Sequence, residues 1–125
     1  MRIGVDIEEF ERFKKIAASP AKLKRIFSEE EIAYCQSKKN PAAHFAARFA
    51  AKEAVWKALE GHHVLADSKL NGKTLAGKKI TITDINIQNT ASGKPEVYIN
   101  GKKAKNIDVS LSHSKNYVVA AAICA

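Results

Sequence analysis

Residues 45–57, Phe-Ala-Ala-Arg-Phe-Ala-Ala-Lys-Glu-Ala-Val-Trp-Lys, constrain the fold more than any other stretch of this chain. The segment has the composition of an alanine-rich buried helix, yet it carries Arg48, Lys52, Glu53 and Lys57. At 3.6 residues per turn, Arg48 stacks on Lys52 and Glu53 on Lys57, each pair one turn apart. Phe45, Phe49, Trp56 and Leu59 fall within one arc of the helix, and Lys52 falls inside that arc. Alanine covers most of the remainder, so other parts of the chain can pack closely on the opposite side. Burying an unpartnered charge costs several kcal/mol, so charges in such a helix are paired, metal-bound or functional. Two readings follow. One is a structural ion-pair ladder on a half-exposed helix; the other is a carboxylate that holds a metal, flanked by cations that hold phosphates.

Around this helix the chain reads as strands and shorter helices. Residues 2–8 alternate Ile3, Val5 and Ile7 against Arg2, Gly4 and Asp6, the period of a half-buried strand, and put Asp6 on the face away from the isoleucines. A helix runs on to about Ala18, and Pro20 behind Ser19 opens another with Leu23, Ile26 and Phe27 as apolar positions. Ser28 before Glu29, Glu30 and Glu31 marks a helix start, a hydroxyl cap with three acids at the positive end of the dipole. The long helix spans about Pro41 to Glu60, with Gly61 as its cap. Residues 61–79 read as loop. Ile80, Ile82, Ile85 and Ile87 describe a strand whose alternation slips at Thr83-Asp84, which predicts a bulge or break. A turn over Thr90 to Pro95 leads to a strand with Val97 and Ile99. Ile107, Val109 and Leu111 mark a third strand, which Ser114-Lys115-Asn116 joins to Tyr117–Ile123 as a hairpin. The class is α+β: one small domain over residues 1–125, an antiparallel sheet packed with a long central helix.

Composition narrows the function. At 125 residues and 46% hydrophobic content there is room for one core. No run of 18 apolar residues suggests a membrane span, and Met-Arg-Ile-Gly-Val-Asp lacks an apolar signal region. Cys35 and Cys124 sit far apart without metal-ligand spacing and read as reduced thiols of a cytoplasmic protein. The formal charge of +8 predicts an acidic partner. Arg12, Lys14, Lys15, Lys22, Lys24 and Arg25 fall in a stretch with no acidic residue, either a solvated helix face or an anionic docking surface.

Three separated segments match one family: Gly4-Val5-Asp6-Ile7, Arg48-Phe49-Ala50-Ala51-Lys52-Glu53-Ala54 and Ser110-Leu111-Ser112-His113-Ser114. In order, spacing and total length the sequence resembles holo-acyl-carrier-protein synthases, the short phosphopantetheinyl transferases of bacterial fatty-acid synthesis. The resemblance implies transfer of 4′-phosphopantetheine from coenzyme A to a serine of an acidic apo acyl carrier protein, with release of 3′,5′-ADP. It also implies magnesium dependence (with manganese as a substitute), a homotrimer with active sites between subunits, and a cytoplasmic setting.

By the same resemblance, Asp6 and Glu53 are the metal carboxylates. Such a sparse pair suits magnesium, which keeps waters and substrate oxygens in its shell. Glu53, or a water on the metal beside it, takes the proton of the acceptor serine, and Lys57 assists the departing phosphate. Arg48 and Lys52 match positions near the nucleotide phosphates or in the ion-pair lattice that orients the carboxylates; for Lys52 the apolar arc also suits an internal salt bridge. Gly93-Lys94-Pro95 matches a turn along the nucleotide or pantetheine arm. His113 is expected near the phosphates or acceptor serine, and Ser112 near the adenine. Strand alternation puts Ser110 and Ser112 on one face and His113 on the other, with no carboxylate or cysteine at motif spacing to form a hydrolase triad. Arg12 matches a position that contacts the carrier protein, with Lys14, Lys15, Lys22, Lys24 and Arg25 as rim contacts that raise association rate.

Two segments depart from the family pattern. The loop after the long helix reads Gly61-His62-His63-Val64-Leu65-Ala66-Asp67, with few glycines, and its tandem histidines read as inert rather than metal-binding. The stretch between Val97 and Val109 is short and polar where a helix is often found. The rivals are the same chemistry on a polyketide or peptide synthase carrier, a basic nucleic-acid-binding module and a silent trimeric scaffold. Nucleic-acid binding is disfavoured because aromatic and basic residues do not alternate on a strand as a base-stacking platform. A silent scaffold is disfavoured by Asp6, Glu53 and Lys57.

Overall fold

The computed structural model describes residues 1–60 and 80–125. Its elements are β1 (Arg2–Glu9), α1 (Phe10–Ala17), α2 (Pro20–Ile26), α3 (Glu29–Gln36), α4 (Pro41–Glu60), β2 (Ile85–Asn89), β3 (Pro95–Ile99), β4 (Lys102–Lys103), β5 (Ile107–His113) and β6 (Tyr117–Cys124). The fold is α+β, with two antiparallel three-stranded sheets in the orders β1-β6-β5 and β2-β3-β4. Gly61 and His62-His63 lie outside the described residues, as does the rest of the 61–79 loop. Among the described residues no helix is long and apolar enough to cross a membrane.

The helix boundaries follow local chemistry. Ser19 caps α2 by accepting from the Lys22 N–H, and Pro20 opens the helix, where a missing N–H costs nothing. Ser28 and Glu31 form a reciprocal capping box at the start of α3. The slip in the isoleucine alternation is a 3₁₀ turn over Ile82–Asp84, so Ile80 and Ile82 are not strand residues. The Asp84 carboxylate accepts from the Thr81 N–H and hydroxyl and closes that turn, overriding the apolar period. Between β3 and β4 the chain reverses through Asn100 and Gly101, both at positive φ (50° and 82°).

The face of β1 that packs inward is the polar one. Gly4, Asp6 and Glu8 pair with Ala122, Ala120 and Val118 of β6, and these lie under α4 with Val109 and Leu111 of β5. A Cβ at Gly4 would stand 1.9 Å from the Ala54 carbonyl oxygen and 2.8 Å from the Ala58 nitrogen. Glycine at 4 and alanines at 54 and 58 therefore let strand and helix backbones meet. The sequence period places the isoleucines opposite Asp6, as found, but they face outward: Ile3 and Ile7 remain 66% and 62% exposed. With Val5, Tyr117, Val119 and Ile123 they form an apolar outer face. The interior contains Phe13, Leu23, Phe27, Phe45 and Val55, clustered under the helices.

Candidate active site

α4 divides its charged residues between two sides. Within each pair the residues lie about 40° apart around the axis, but the pairs are separated by about 140°. Glu53 and Lys57 turn to β1, whereas Arg48 and Lys52 turn to α3 and β2.

On the second side the charges are internal. Lys52 is fully buried, and its Nζ donates to Glu31 Oε1 at 2.7 Å. Glu31, also buried, accepts from the Ser28 N–H at 2.9 Å and from the Ile87 N–H at 2.9 Å, tying α3 to α4 and β2. Lys52 also lies 5.4 Å from the Phe27 ring centroid. An ammonium withdrawn this far from solvent cannot reach a phosphate, so Lys52 belongs to the internal lattice and not to ligand binding. Burial lowers the Lys52 pKa, and Glu31 opposes that shift.

Arg48 is nearly as buried. It donates to the Ile87 carbonyl and to Asn89 Oδ1 and stacks 4.2 Å from the Tyr34 ring centroid. Asn89 passes the contact on by donating to the Gly93 carbonyl at 3.0 Å. Arg48 thus holds the β2–β3 turn that carries Gly93, Lys94 and Pro95, while its Nε finds no partner among the described residues. In that turn Gly93 has φ +87° and Lys94 is exposed, 3.9 Å from Asp108.

On the first side, Lys57 Nζ donates to the Val5 carbonyl at 3.0 Å and lies 3.4 Å from Asp6 Oδ1. Asp6 Oδ2 is buried with no partner among the described residues. Glu53 is half-buried, and its pKa is raised by burial first and by Asp6 second, against the pull of Lys57 and Arg12. Sequence reasoning missed a third carboxylate, Glu8. Two residues beyond Asp6 on a strand, it faces the same side, and Arg12 one helical turn further on is its partner at 2.8 Å. Burial pushes the Glu8 carboxyl up to about 7, reinforced by Asp6 and Glu53 and opposed by Arg12.

Three carboxylates crowded against two partly exposed cations, with one carboxylate oxygen orphaned, form a cradle short of positive charge. No three ligand-type side chains among the described residues converge as a complete metal cage. The donor set fits a hard cation held by one or two carboxylates, the sparse arrangement that magnesium accepts.

Glu8 also leaves a measurable signature. Native Glu8 keeps its proton to about pH 7, whereas the unfolded chain releases it near 4.5, so the native state binds more protons between these values. Stability of the cation-free protein is therefore expected to fall as pH rises through that window. Glu8→Gln should flatten the slope and add about 1–3 kcal/mol at about pH 8 relative to about pH 5, read from urea melts. An unchanged slope would contradict the assignment.

The remaining sequence-predicted residues are dispersed. His113 is exposed at the end of β5, in register with Val118 and hence in one row with Glu8, about 10 Å away across two strand spacings. Its ring meets Phe10 edge-on at 6.4 Å. Ser112 lies on the outer, apolar face, which Asp6 does not share. Arg12, Lys14, Lys15, Lys22, Lys24 and Arg25 are all exposed on α1 and α2.

A family model described as the 4′-phosphopantetheinyl transferase superfamily matches residues 2–122. A holo-[acyl-carrier-protein] synthase of Thermodesulfovibrio yellowstonii is 42% identical over 120 residues, 94% of this chain and 92% of that protein. One from Chlamydia trachomatis serovar L2 is 41% identical over 97% of this chain and 96% of its own. The fold superposes on the holo-(acyl-carrier-protein) synthase of Bacillus anthracis in complex with CoA (3′,5′-ADP), with a TM-score of 0.71, 27% identity, and coverage of 98% of this chain and 94% of that one. This chain belongs to the holo-acyl-carrier-protein synthases of the 4′-phosphopantetheinyl transferase superfamily.

Proposed function

We propose that the chain, working as one domain over residues 1–125, transfers 4′-phosphopantetheine from coenzyme A to a serine of an apo acyl carrier protein in cytoplasmic fatty-acid synthesis. The observation that carries this reading is the Asp6 carboxylate 3.4 Å from Lys57, with Glu53 on the facing helix. The new bond joins the serine oxygen to the phosphorus that bears pantetheine, the bond to the departing 3′,5′-ADP breaks, and the serine proton leaves. Glu53, or a water held beside it, accepts that proton. Lys57, anchored on the Val5 carbonyl, stabilises the phosphate of the leaving nucleotide. Asp6 and Glu53 would hold a magnesium ion, for which manganese can substitute, and it would supply charge neutralisation at the diphosphate. Lys94, in the turn that Arg48 and Asn89 hold, and His113 supply polar contacts to the nucleotide. Formation of 3′,5′-ADP, followed by ion-exchange chromatography, should require coenzyme A, the carrier protein and a divalent cation together. Nucleotide release without the carrier would argue for simple hydrolysis instead.

The exposed basic run serves as the dock for the acidic carrier. Arg12→Glu should raise the carrier-protein KM by about tenfold or more while the coenzyme A KM changes little, because a reversed charge opposes the carrier directly. Equal losses on both substrates would remove the docking role.

The outer face of Ile3, Val5, Ile7, Tyr117, Val119 and Ile123 supports self-association, since a monomer leaves this apolar surface in water, and the homotrimer that the family resemblance implies would cover it. Ser112 on the same face would then meet a neighbouring subunit, consistent with a site shared between copies. Light scattering should give three protomer masses; a stable monomer at assay concentration would contradict it.

A further inference from the structure

The Glu8–Arg12 pair joins the carboxylate cradle to the docking surface. Glu8 is 8% exposed on the inner face of β1, while the Arg12 side chain on α1 is 60% exposed. Their contact, Arg12 Nη1 to Glu8 Oε1 at 2.8 Å, spans the junction where β1 turns into α1. The guanidinium carbon also lies 5.7 Å from the Phe13 ring centroid and 5.8 Å from that of Phe49. An exposed arginine ordinarily samples many rotamers; here a buried carboxylate and two aromatic rings hold it in one place. Among the described residues the fork's N–H donors beyond the one given to Glu8 have no partner, and they can meet a carboxylate of the carrier.

We infer that Glu8 is a positioning residue, which holds the Arg12 guanidinium outward for the acidic carrier protein. The inference rests on the reading of Arg12 as a docking residue. Immobilising a rotamer-rich side chain before binding removes an ordering cost, so loss of the tether should weaken carrier binding about three- to tenfold.

The test is a double-mutant cycle on the full chain at about pH 8.5, where Glu8 is ionised, with Glu8→Gln, Arg12→Gln and the pair together, reading KM for carrier protein and for coenzyme A. Glu8→Gln should raise the carrier KM about three- to tenfold, with the coenzyme A KM moving less than about twofold. The pair should be no worse than Arg12→Gln alone, because Glu8 acts through Arg12. Glu8→Asp, which keeps the charge, should recover part of the loss. A carrier KM that falls in Glu8→Gln would mean that Glu8 competes with the carrier for Arg12, and effects that multiply would mean that Glu8 acts independently; either overturns the proposal. If Arg12→Gln itself leaves the carrier KM unchanged, the docking reading fails and the tether with it, a result separable from both.

Discussion

Replacing Glu53 by alanine is expected to lower carrier modification by about a hundredfold or more, the scale of losing a positioned general base, while the protein stays folded. Glu53 sits between Lys52 and Ala54 on an alanine-rich helix, so the substitution keeps helix propensity. It also removes one of three crowded carboxylates: the raised pKa of Glu53 means that its ionised form is held at a cost when no cation is present. Activity and stability should therefore separate. Turnover measured as holo-carrier formation should collapse, with the thermal midpoint equal to or above that of the unaltered protein. Turnover within about threefold of the original would remove Glu53 from the mechanism.

Lys52→Ala should do the reverse, through the fold. Removing one member of a buried pair strands the other as an uncompensated charge, at about 3–5 kcal/mol. The stranded group is Glu31, which also caps α3 and accepts the Ile87 N–H, so the damage reaches three elements. Urea denaturation should report the loss directly. Adding Glu31→Gln should recover part of it, because the amide retains an acceptor and relieves the charge. A Lys52→Ala protein with unaltered stability and an elevated coenzyme A KM would return Lys52 to ligand binding.

The two outcomes divide along a line that the helix itself draws. The helical period correctly separates Arg48 and Lys52 from Glu53 and Lys57, because angular position depends only on spacing. It does not reveal what each side faces. The partner of Lys52 is 21 residues upstream, and Glu31 reads locally as one more acid in a capped first turn. Similarly, strand alternation places Asp6 opposite the isoleucines but cannot say which face the monomer buries. Hydrophobicity favours the isoleucine face; the close approach of Gly4 to Ala54 and Ala58 decides for the other. Glu8 was legible in principle, by its i+2 spacing from Asp6 and i−4 spacing from Arg12, but an acid beside Glu9 at a strand end resembles ordinary surface charge. The cap at Ser28 was readable because its hydrogen bond is made within four residues. At Thr81–Asp84, by contrast, local capping broke a pattern that apolar spacing suggested.

Transfer of phosphopantetheine to a carrier serine can be read from the intact mass of an apo acyl carrier protein incubated with this protein, coenzyme A and magnesium. The carrier should gain the mass of one phosphopantetheine group, and chelation of the metal or replacement of the acceptor serine by alanine should abolish the gain. An unchanged mass with several acidic carriers, under conditions where the protein remains folded, would contradict it.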